Sequence, residues 1–131
     1  MIRKWQPEDL HLVADALLEL KQNATWANEL EYDKEELCKW LLHVFTNHMS
    51  AVFLHDLGGD IHAIVGVTII RSYLPPHAAI MEEWCLWGSD AQSVMETWAA
   101  AKAWGKTRGA MFAKRSKQEG CREHLKWEKL T

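Results

Sequence analysis

The chain has 131 residues, which is enough for one domain and too few for two ordinary ones. Its hydrophobic fraction of 48% and charged fraction of 25% are ordinary for a globular protein, and its longest apolar run, around residues 63–70, is too short to span a bilayer. The net charge of −3 combines a basic segment from residue 106 onward, with a balance of +5, and an acidic remainder with a balance of −8. A basic segment favours an anionic ligand, but charge alone does not separate a nucleic acid from a nucleotide carrier.

The cysteines and the N-terminus indicate the compartment. Cys38, Cys85 and Cys121 are far apart and outside any C-x-x-C pattern, which argues against a disulfide framework and favours a reducing environment. The first residues have no apolar run behind them, so no signal peptide is predicted. We therefore expect a cytoplasmic protein in which Cys38 and Cys85, both set in apolar patterns, are buried thiols.

In chain order, the hydrophobic patterns predict strands and helices of a single domain over residues 1–131. A strand over 2–5 precedes a helix that Pro7 opens, and a second helix begins after Asp33 as its N-cap. Gly58 and Gly59 form a hairpin turn between strands over 50–55 and 62–73. The later predicted elements are a strand over 79–88, a helix from Ser89 or Asp90 to about 106, a strand over 110–113, a short helix over 118–125 and a strand over 127–130.

This order of elements predicts an α+β, or mixed α/β, fold with a mixed central sheet of about six strands flanked by about four helices. The strands over 79–88 and 110–113, which the third helix joins, should be parallel neighbours in a right-handed crossover. Val94, Trp98 and Ala101 of that helix should face the core.

The strand over 79–88 carries Glu82 and Glu83 in the middle of an apolar pattern and leads directly into a helix. An unpaired buried carboxylate costs several kcal/mol, so we expect each glutamate to have a bonding partner, a function or contact with water. The helix N-terminus that follows offers free N–H groups to a phosphate. A group-transfer enzyme with a phosphorylated carrier would need these features in this order. The alternative is a half-exposed strand whose glutamates face water, followed by an ordinary capping box of Ser89 and Gln92.

Four segments resemble the GNAT superfamily of acyl-CoA-dependent N-acyltransferases in both order and spacing. The chain opening resembles the family's first strand and P-x-D-L helix start, two segments resemble its central hairpin with an apolar pair before glycine, and one resembles its common helix end before the fifth strand. They are residues 1–10 (MIRKWQPEDL), 51–54 (AVFL), 64–67 (IVGV) and 106–110 (KTRGA). The resemblance covers nearly the whole chain and implies a GNAT-like fold, whose sheet opens in a V between the strands over 79–88 and 110–113.

The resemblance also implies a set of site residues. Glu83 corresponds to the family's general base on the fourth strand, which would deprotonate an amine-bearing substrate, and the implied cofactor is acetyl-CoA. The implied cofactor-binding residues are Leu86, Trp87 and Gly88 for pantetheine and Ser89, Gln92 and Ser93 for phosphates. The family's glycine-rich pyrophosphate loop is absent, and Asp90 places a negative charge in that interval.

Three functions follow from these observations. The first is acyl-CoA-dependent N-acetyltransferase activity. The second is a non-catalytic structural or accessory role through protein contacts, because short GNAT-like domains of this kind resemble bacteriophage proteins, including virion-associated ones; such a chain would be found in the host cytoplasm or the virion. The third is nucleic-acid binding by the basic C-terminal segment, with Trp127 available for stacking. The histidines lack the spacing of recognised zinc sites, so no metal is predicted. No membrane partner is expected, and homo-oligomerisation stays open.

Overall fold

A computed structural model describes residues 1–22, 33–71, 78–119 and 122–130. Within these ranges the chain forms six strands, three α-helices and one short 3-10 turn at Pro7–Asp9. The strands are β1 (Ile2–Lys4), β2 (Ser50–Leu57), β3 (Asp60–Arg71), β4 (Ala79–Gly88), β5 (Phe112–Glu119) and β6 (Arg122–Lys129). The helices are α1 (Leu10–Gln22), α2 (Lys34–Thr46) and α3 (Ala91–Thr107).

The six strands form one mixed sheet in the order β1-β2-β3-β4-β5-β6. Neighbours are antiparallel except β4 and β5, which are parallel and joined by α3. The predicted α+β fold with a mixed six-stranded sheet is therefore confirmed. The predicted parallel pairing across the third helix is also confirmed.

The short helix predicted over 118–125 is wrong, and the helix count within the described residues is three rather than about four. The ends of this segment belong to β5 and β6, which pair from Phe112 opposite Lys129 to Glu119 opposite Arg122. The physical reason is backbone pairing, because each residue from Arg122 to Lys129 lies opposite a residue of β5. Strand pairing satisfies the backbone groups that an isolated helix of two turns would leave to weak local bonds.

Local turn and capping residues place several elements where the sequence predicted them. The Asp33 carboxylate accepts a hydrogen bond of 3.0 Å from the Glu35 N–H and caps α2. Gly58 and Gly59 have φ angles of 64° and 94°, which L side chains rarely adopt, and they turn β2 into β3. The end of the strand predicted over 62–73 lies outside the described residues, where β3 reaches Arg71.

The sheet buries a separate apolar cluster on each face. On one face α3 places Trp98 and Ala101, both fully buried, over Val65, Val67 and Met81. On the other face α1 and α2 cover a cluster that includes Trp5, Val13, Leu41, Leu54 and Cys85. Two opposed faces fix the side-chain alternation of each central strand, so a register shift in β4 would move charged residues into one core or the other.

One irregularity in β4 changes which residues face which core. The β3–β4 register runs from Val67 opposite Glu83 to Gly66 opposite Cys85, so Trp84 is an extra residue in β4. This is a β-bulge. Trp84 and Cys85 consequently both lie on the α1–α2 face. Gly66 makes the bulge possible, because a Cβ at this position would lie 2.7 Å from the Trp84 indole.

Candidate active site

The parallel strands β4 and β5 pair over only a short stretch and then separate. Their Cα partners are Ile80 with Phe112, Met81 with Ala113 and Glu82 with Lys114, although both strands continue beyond that point. The V-shaped opening expected between these strands is therefore present. Beyond Glu82, one edge of β4 faces a gap in the sheet, and unpaired backbone groups at such an edge can bind an extended chain.

Glu83 lies at the apex of this opening, which is hereafter called the β4–β5 opening. Its Oε1 accepts a hydrogen bond of 2.9 Å from the Ser116 N–H, and it also accepts a short hydrogen bond from the Ser116 hydroxyl. The side chain is half-buried and crosses the gap between the two strands. Donors from β5 thus hold the carboxylate in one place. The alternative prediction, in which both glutamates simply face water, is therefore wrong for Glu83.

Sequence reasoning missed Ser116 because it placed the end of β5 at residue 113. The only signal in the sequence was the alternation of Lys114 and Ser116 with Ala113 and Arg115, which continues the strand pattern past the predicted end. Arg115 lies on the α3 face, where its Nε is 3.4 Å from the Glu128 carboxylate. Lys114 and Ser116 therefore lie on the opposite face.

Glu82 has a different partner. Its Oε1 is 2.5 Å from the Lys114 Nζ, and this ammonium also lies 5.3 Å from the centroid of the Trp127 ring. An ion pair and a cation–π contact together hold the lysine. The two adjacent glutamates of β4 therefore bind different residues of β5. Glu82 pairs with a lysine, whereas Glu83 has no cationic partner among the described residues.

The residues predicted to bind pantetheine follow the bulge along β4. Leu86 packs against the core beneath α3, and Trp87 lies on the other face, where its Nε1–H donates a 2.8 Å hydrogen bond to Glu19. Gly88 ends the strand in close contact with Val94 of α3, since a Cβ there would lie 2.1 Å from a Val94 methyl carbon. A glycine at this position lets the strand approach the first turn of the helix.

Cys85 is a core residue rather than a nucleophile. It is 1% exposed, and burial, together with the nearby charge of Glu83, raises the pKa of its thiol well above the usual range. The prediction of a buried thiol is confirmed for Cys85. Cys38 is only half-buried, with its Sγ 3.8 Å from the His11 Nδ1, so that prediction is wrong for Cys38: α2 presents this position at the margin of the core.

The start of α3 is capped by Asp90, so the Ser89–Gln92 capping box is wrong. Asp90 Oδ1 accepts a 2.7 Å hydrogen bond from the Ser93 N–H, and Oδ2 accepts one of 2.9 Å from the Ser93 hydroxyl. These hydrogen bonds lower the pKa of Asp90, which is consequently ionised at neutral pH. Gln92 instead donates to Glu96 at 3.0 Å, one helical turn away. The Asp90 side chain reaches the N–H of the third helical residue from the N-cap position. Ser89 lies one residue before the N-cap and therefore does not cap the helix.

The N–H groups of Ser89 and Ser93, two of the predicted phosphate-binding residues, already donate hydrogen bonds within the chain. The Ser89 N–H donates to the His62 carbonyl at 2.9 Å, and the Ser93 N–H is taken by Asp90. The His62 ring lies between Asp60, at 3.2 Å, and Asp90, at 3.8 Å. The structure thus brings Ser89, Ser93 and Asp90 together at the N-terminus of α3, and a phosphate there would meet an ionised carboxylate as well as a helix dipole.

Within the described parts of the chain, no group of three or more metal-ligating side chains is arranged to hold an ion. In the same ranges, no helix combines the length and apolar character needed to cross a membrane.

Comparisons with known proteins bear on the fold. No protein-family model matches the sequence, and no curated protein matches it. Solved structures do match. A predicted acetyltransferase from Clostridium acetobutylicum, solved with acetyl-CoA, has a TM-score of 0.67 at 12% identity, over 93% of this chain and 83% of that one. A GNAT family acetyltransferase from Staphylococcus aureus has a TM-score of 0.68 at 12% identity, over 92% and 88%.

A third similar structure is a ribosomal-protein-alanine N-acetyltransferase from Brucella melitensis, with a TM-score of 0.68 at 14% identity over 92% of this chain and 75% of that chain. The bacteriophage resemblance is a prediction that these similarities do not test. At identities this low, a structural likeness establishes architecture and leaves activity to the site itself. The chain has the fold of the GNAT acetyltransferases.

Proposed function

We propose that this protein is an acyl-CoA-dependent N-acyltransferase that transfers an acetyl group to a primary amine. The observation that carries the proposal is the position of Glu83, a carboxylate held by Ser116 at the apex of the β4–β5 opening. A base at that point lies beside the edge of β4, where an extended thioester arm can pair with the strand. General-base catalysis requires a carboxylate within reach of the attacking amine, and the position of Glu83 supports that role.

The cofactor residues follow from the same arrangement. The exposed edge of β4 around Leu86, Trp87 and Gly88 would bind the pantetheine arm through its amides, because β5 has diverged from this edge. Ser89, Gln92 and Ser93 surround the N-terminus of α3, where phosphates would lie. The unpaired edge of β4 beyond Glu82 supports binding of the arm. The phosphates fit less well, because Asp90 already accepts from Ser93 and carries a negative charge.

The acceptor is proposed to be an amine. One of the similar structures is named a ribosomal-protein-alanine N-acetyltransferase, which is a name for acetylation of a nitrogen atom. Around the opening, Glu82 and Trp127 hold the Lys114 ammonium, and this contact supports an amine as the acceptor. The bound thioester would supply the acyl group, and the residues of this chain would orient the amine and accept its proton.

A calorimetric titration of the full chain with acetyl-CoA tests the proposal. We expect weak but saturable binding, and competition by CoA should show that the carrier rather than the acetyl group supplies most of the affinity. A parallel titration with acetyl phosphate controls for a nonspecific anion effect. Absence of heat with acetyl-CoA, for both the native chain and the Asp90→Asn variant, would reject the cofactor and with it the activity.

A further inference from the structure

Lys114 is the residue that most clearly lies next to the proposed chemistry without a role in it. Its Nζ is 2.5 Å from Glu82 Oε1 and 5.3 Å from the centroid of the Trp127 ring, and its side chain is 24% exposed. Glu82 and Lys114 are the last residues that pair before β4 and β5 separate. A primary amine of the protein itself therefore lies at the apex of the β4–β5 opening.

Glu83 lies opposite Val67 on the α3 side of β4, but its carboxylate reaches Ser116, the neighbour of Lys114 on the other face of β5. Successive residues of a strand point to opposite faces, and Arg115 points towards α3, where it contacts Glu128. Lys114 and Ser116 are therefore neighbours on the other face, roughly 7 Å apart along the strand. Because the Glu83 carboxylate reaches the Ser116 hydroxyl, it approaches the same part of β5 as the Lys114 side chain.

We propose that Lys114 is a self-acylation site, which an acyl-CoA thioester modifies when it lies in the β4–β5 opening. This inference rests on the proposed function, because the acyl group comes from the same bound carrier. With its phosphates near the N-terminus of α3 and its arm along β4, the carrier would place its thioester at the far end of the arm. That end lies towards Glu82 and Glu83, where Lys114 is the amine that the fold holds in place.

The reaction balances without any further reagent. The Lys114 ammonium first gives a proton to a neighbouring carboxylate, and Glu82 is in contact with it. The neutral nitrogen then attacks the thioester carbonyl, so that a C–N bond forms and the C–S bond breaks. The nitrogen loses a second proton as the amide forms, and Glu83, the proposed base, is the carboxylate that accepts it. One of the two protons ends on the departing CoA thiol, the other is released to solvent, and no atom is oxidised or reduced.

Acylation would also change the site. An amide carries no charge, so Glu82 would lose its ion partner and Trp127 would lose its cation–π contact. The Glu82 carboxylate and the Trp127 ring would then be available to a second amine. Self-acylation of Lys114 would in this way convert an occupied cation site into an open one.

The chain contains a matched control lysine. Lys102 is also part-buried, with a side chain 29% exposed, and its Nζ is also 2.5 Å from a glutamate, Glu128. Lys102 belongs to α3, and its partner Glu128 belongs to β6. Glu128 also accepts a hydrogen bond from the Trp98 indole, so Lys102 lies on the α3 face of the sheet. Lys102 and Lys114 thus have similar pairing and exposure, and they differ in their position relative to the opening.

The experiment exposes the full chain to acetyl-CoA and, separately, to S-acetyl-N-acetylcysteamine, a short thioester without phosphates, and follows each lysine by peptide mass spectrometry. We expect Lys114 to be acetylated at least about tenfold faster than Lys102, since a held nucleophile gains from proximity. Unfolding the chain in urea should abolish the difference. Glu83→Gln should slow the modification of Lys114 by about tenfold or more, as for loss of a general base, and leave Lys102 unchanged.

Each outcome decides between the two proposals. If acetyl-CoA binds by calorimetry but neither thioester modifies Lys114 faster than Lys102, the inference is overturned and the proposed function stands. If acetyl-CoA fails to bind while the short thioester modifies Lys114 selectively, the self-acylation site stands and the phosphate cradle is rejected. Lys114→Arg keeps the positive charge beside Glu82 and should bind acetyl-CoA like the native chain. Acetylation at residue 114 should then no longer be detected by mass spectrometry.

Discussion

The carboxylate of Glu83 on β4 accepts hydrogen bonds from the backbone N–H and the hydroxyl of Ser116 on β5, a residue 33 positions later in the chain. This contact spans the gap that opens where the two parallel strands stop pairing. It fixes the position of a carboxylate that would otherwise swing freely on a strand edge. Because the N–H donor belongs to the backbone, the contact depends on the path of β5 as well as on the serine side chain.

Glu83→Gln should lower the acetyl-transfer rate by about 100-fold or more, as for loss of a general base, and leave acetyl-CoA affinity nearly unchanged. The amide oxygen of glutamine can still accept from the Ser116 N–H, so the fold should persist. Release of the CoA thiol measures the rate, and calorimetry measures the affinity. Asp15→Asn is the control, because it removes an exposed carboxylate that pairs with Lys34 of α2 rather than with β5. An unchanged rate near neutral pH would remove Glu83 from the mechanism.

Ser116→Ala tests positioning. It removes the hydroxyl donor to Glu83 and keeps the backbone donor, so we expect a smaller loss of rate, about five- to tenfold, equivalent to one hydrogen bond. The loss should fall on kcat rather than KM, and Ser116→Thr, which retains a hydroxyl, should restore part of it. A change confined to KM would indicate that Ser116 contacts a substrate instead.

Asp90→Asn should strengthen acetyl-CoA binding several-fold at low ionic strength, because asparagine still caps α3 but removes the charge that repels a diphosphate. The gain should shrink as salt is added, since the interaction is electrostatic. Calorimetry at two salt concentrations measures it. Asp90→Ala is the control that also removes the cap. Tight binding by the native chain would contradict the view that Asp90 opposes the cofactor.

Gly66→Ala should destabilise the fold by about 1–3 kcal/mol, because the new methyl group would meet the Trp84 indole at 2.7 Å. Urea denaturation measures the change in the free energy of unfolding. If the clash with Trp84 is the cause, the same substitution in a Trp84→Leu background should cost clearly less. Equal costs in both backgrounds would locate the strain elsewhere.

The N-terminal ion pair should make stability depend on acid pH. Arg3 binds the buried Asp9 through two hydrogen bonds of 2.7 and 3.0 Å, and these lower the pKa of Asp9. A carboxyl whose pKa is lower in the folded state stabilises the fold above its unfolded pKa, and that contribution is lost as the pH falls towards the folded value. Stability measured below the ordinary aspartate pKa should therefore fall less steeply for Asp9→Asn than for the native chain.

Arg3→Ala should cost about 1–3 kcal/mol at neutral pH, since it leaves the Asp9 carboxylate with the Gln6 N–H as its remaining described donor. Thermal or urea unfolding measures this cost. Lys34→Ala is a suitable control, because Lys34 pairs with the exposed Asp15 at 2.8 Å and should cost far less.

The elements that the sequence predicted well depend on local chemistry. The bounds of β4 agree with the prediction, Asp33 caps α2, the two glycines turn the central hairpin, and Trp98 is buried. Each of these is set by turn residues, a cap or a hydrophobic period that operates within a few neighbouring residues. The order of these elements was sufficient to indicate the mixed sheet, and the resemblance to the GNAT superfamily indicated the opening beside β4.

The features that decide the candidate site depend on contacts between distant segments. Glu83 meets Ser116, the Trp84 bulge depends on Gly66 in the neighbouring strand, and the segment around Leu125 is a strand because β5 pairs with it. No local pattern carries this information, since a bulge or a hairpin edge gains its stability from the partner strand rather than from its own residues. The sequence determined which carboxylate enters the sheet, whereas only the tertiary structure determined what holds that carboxylate in place.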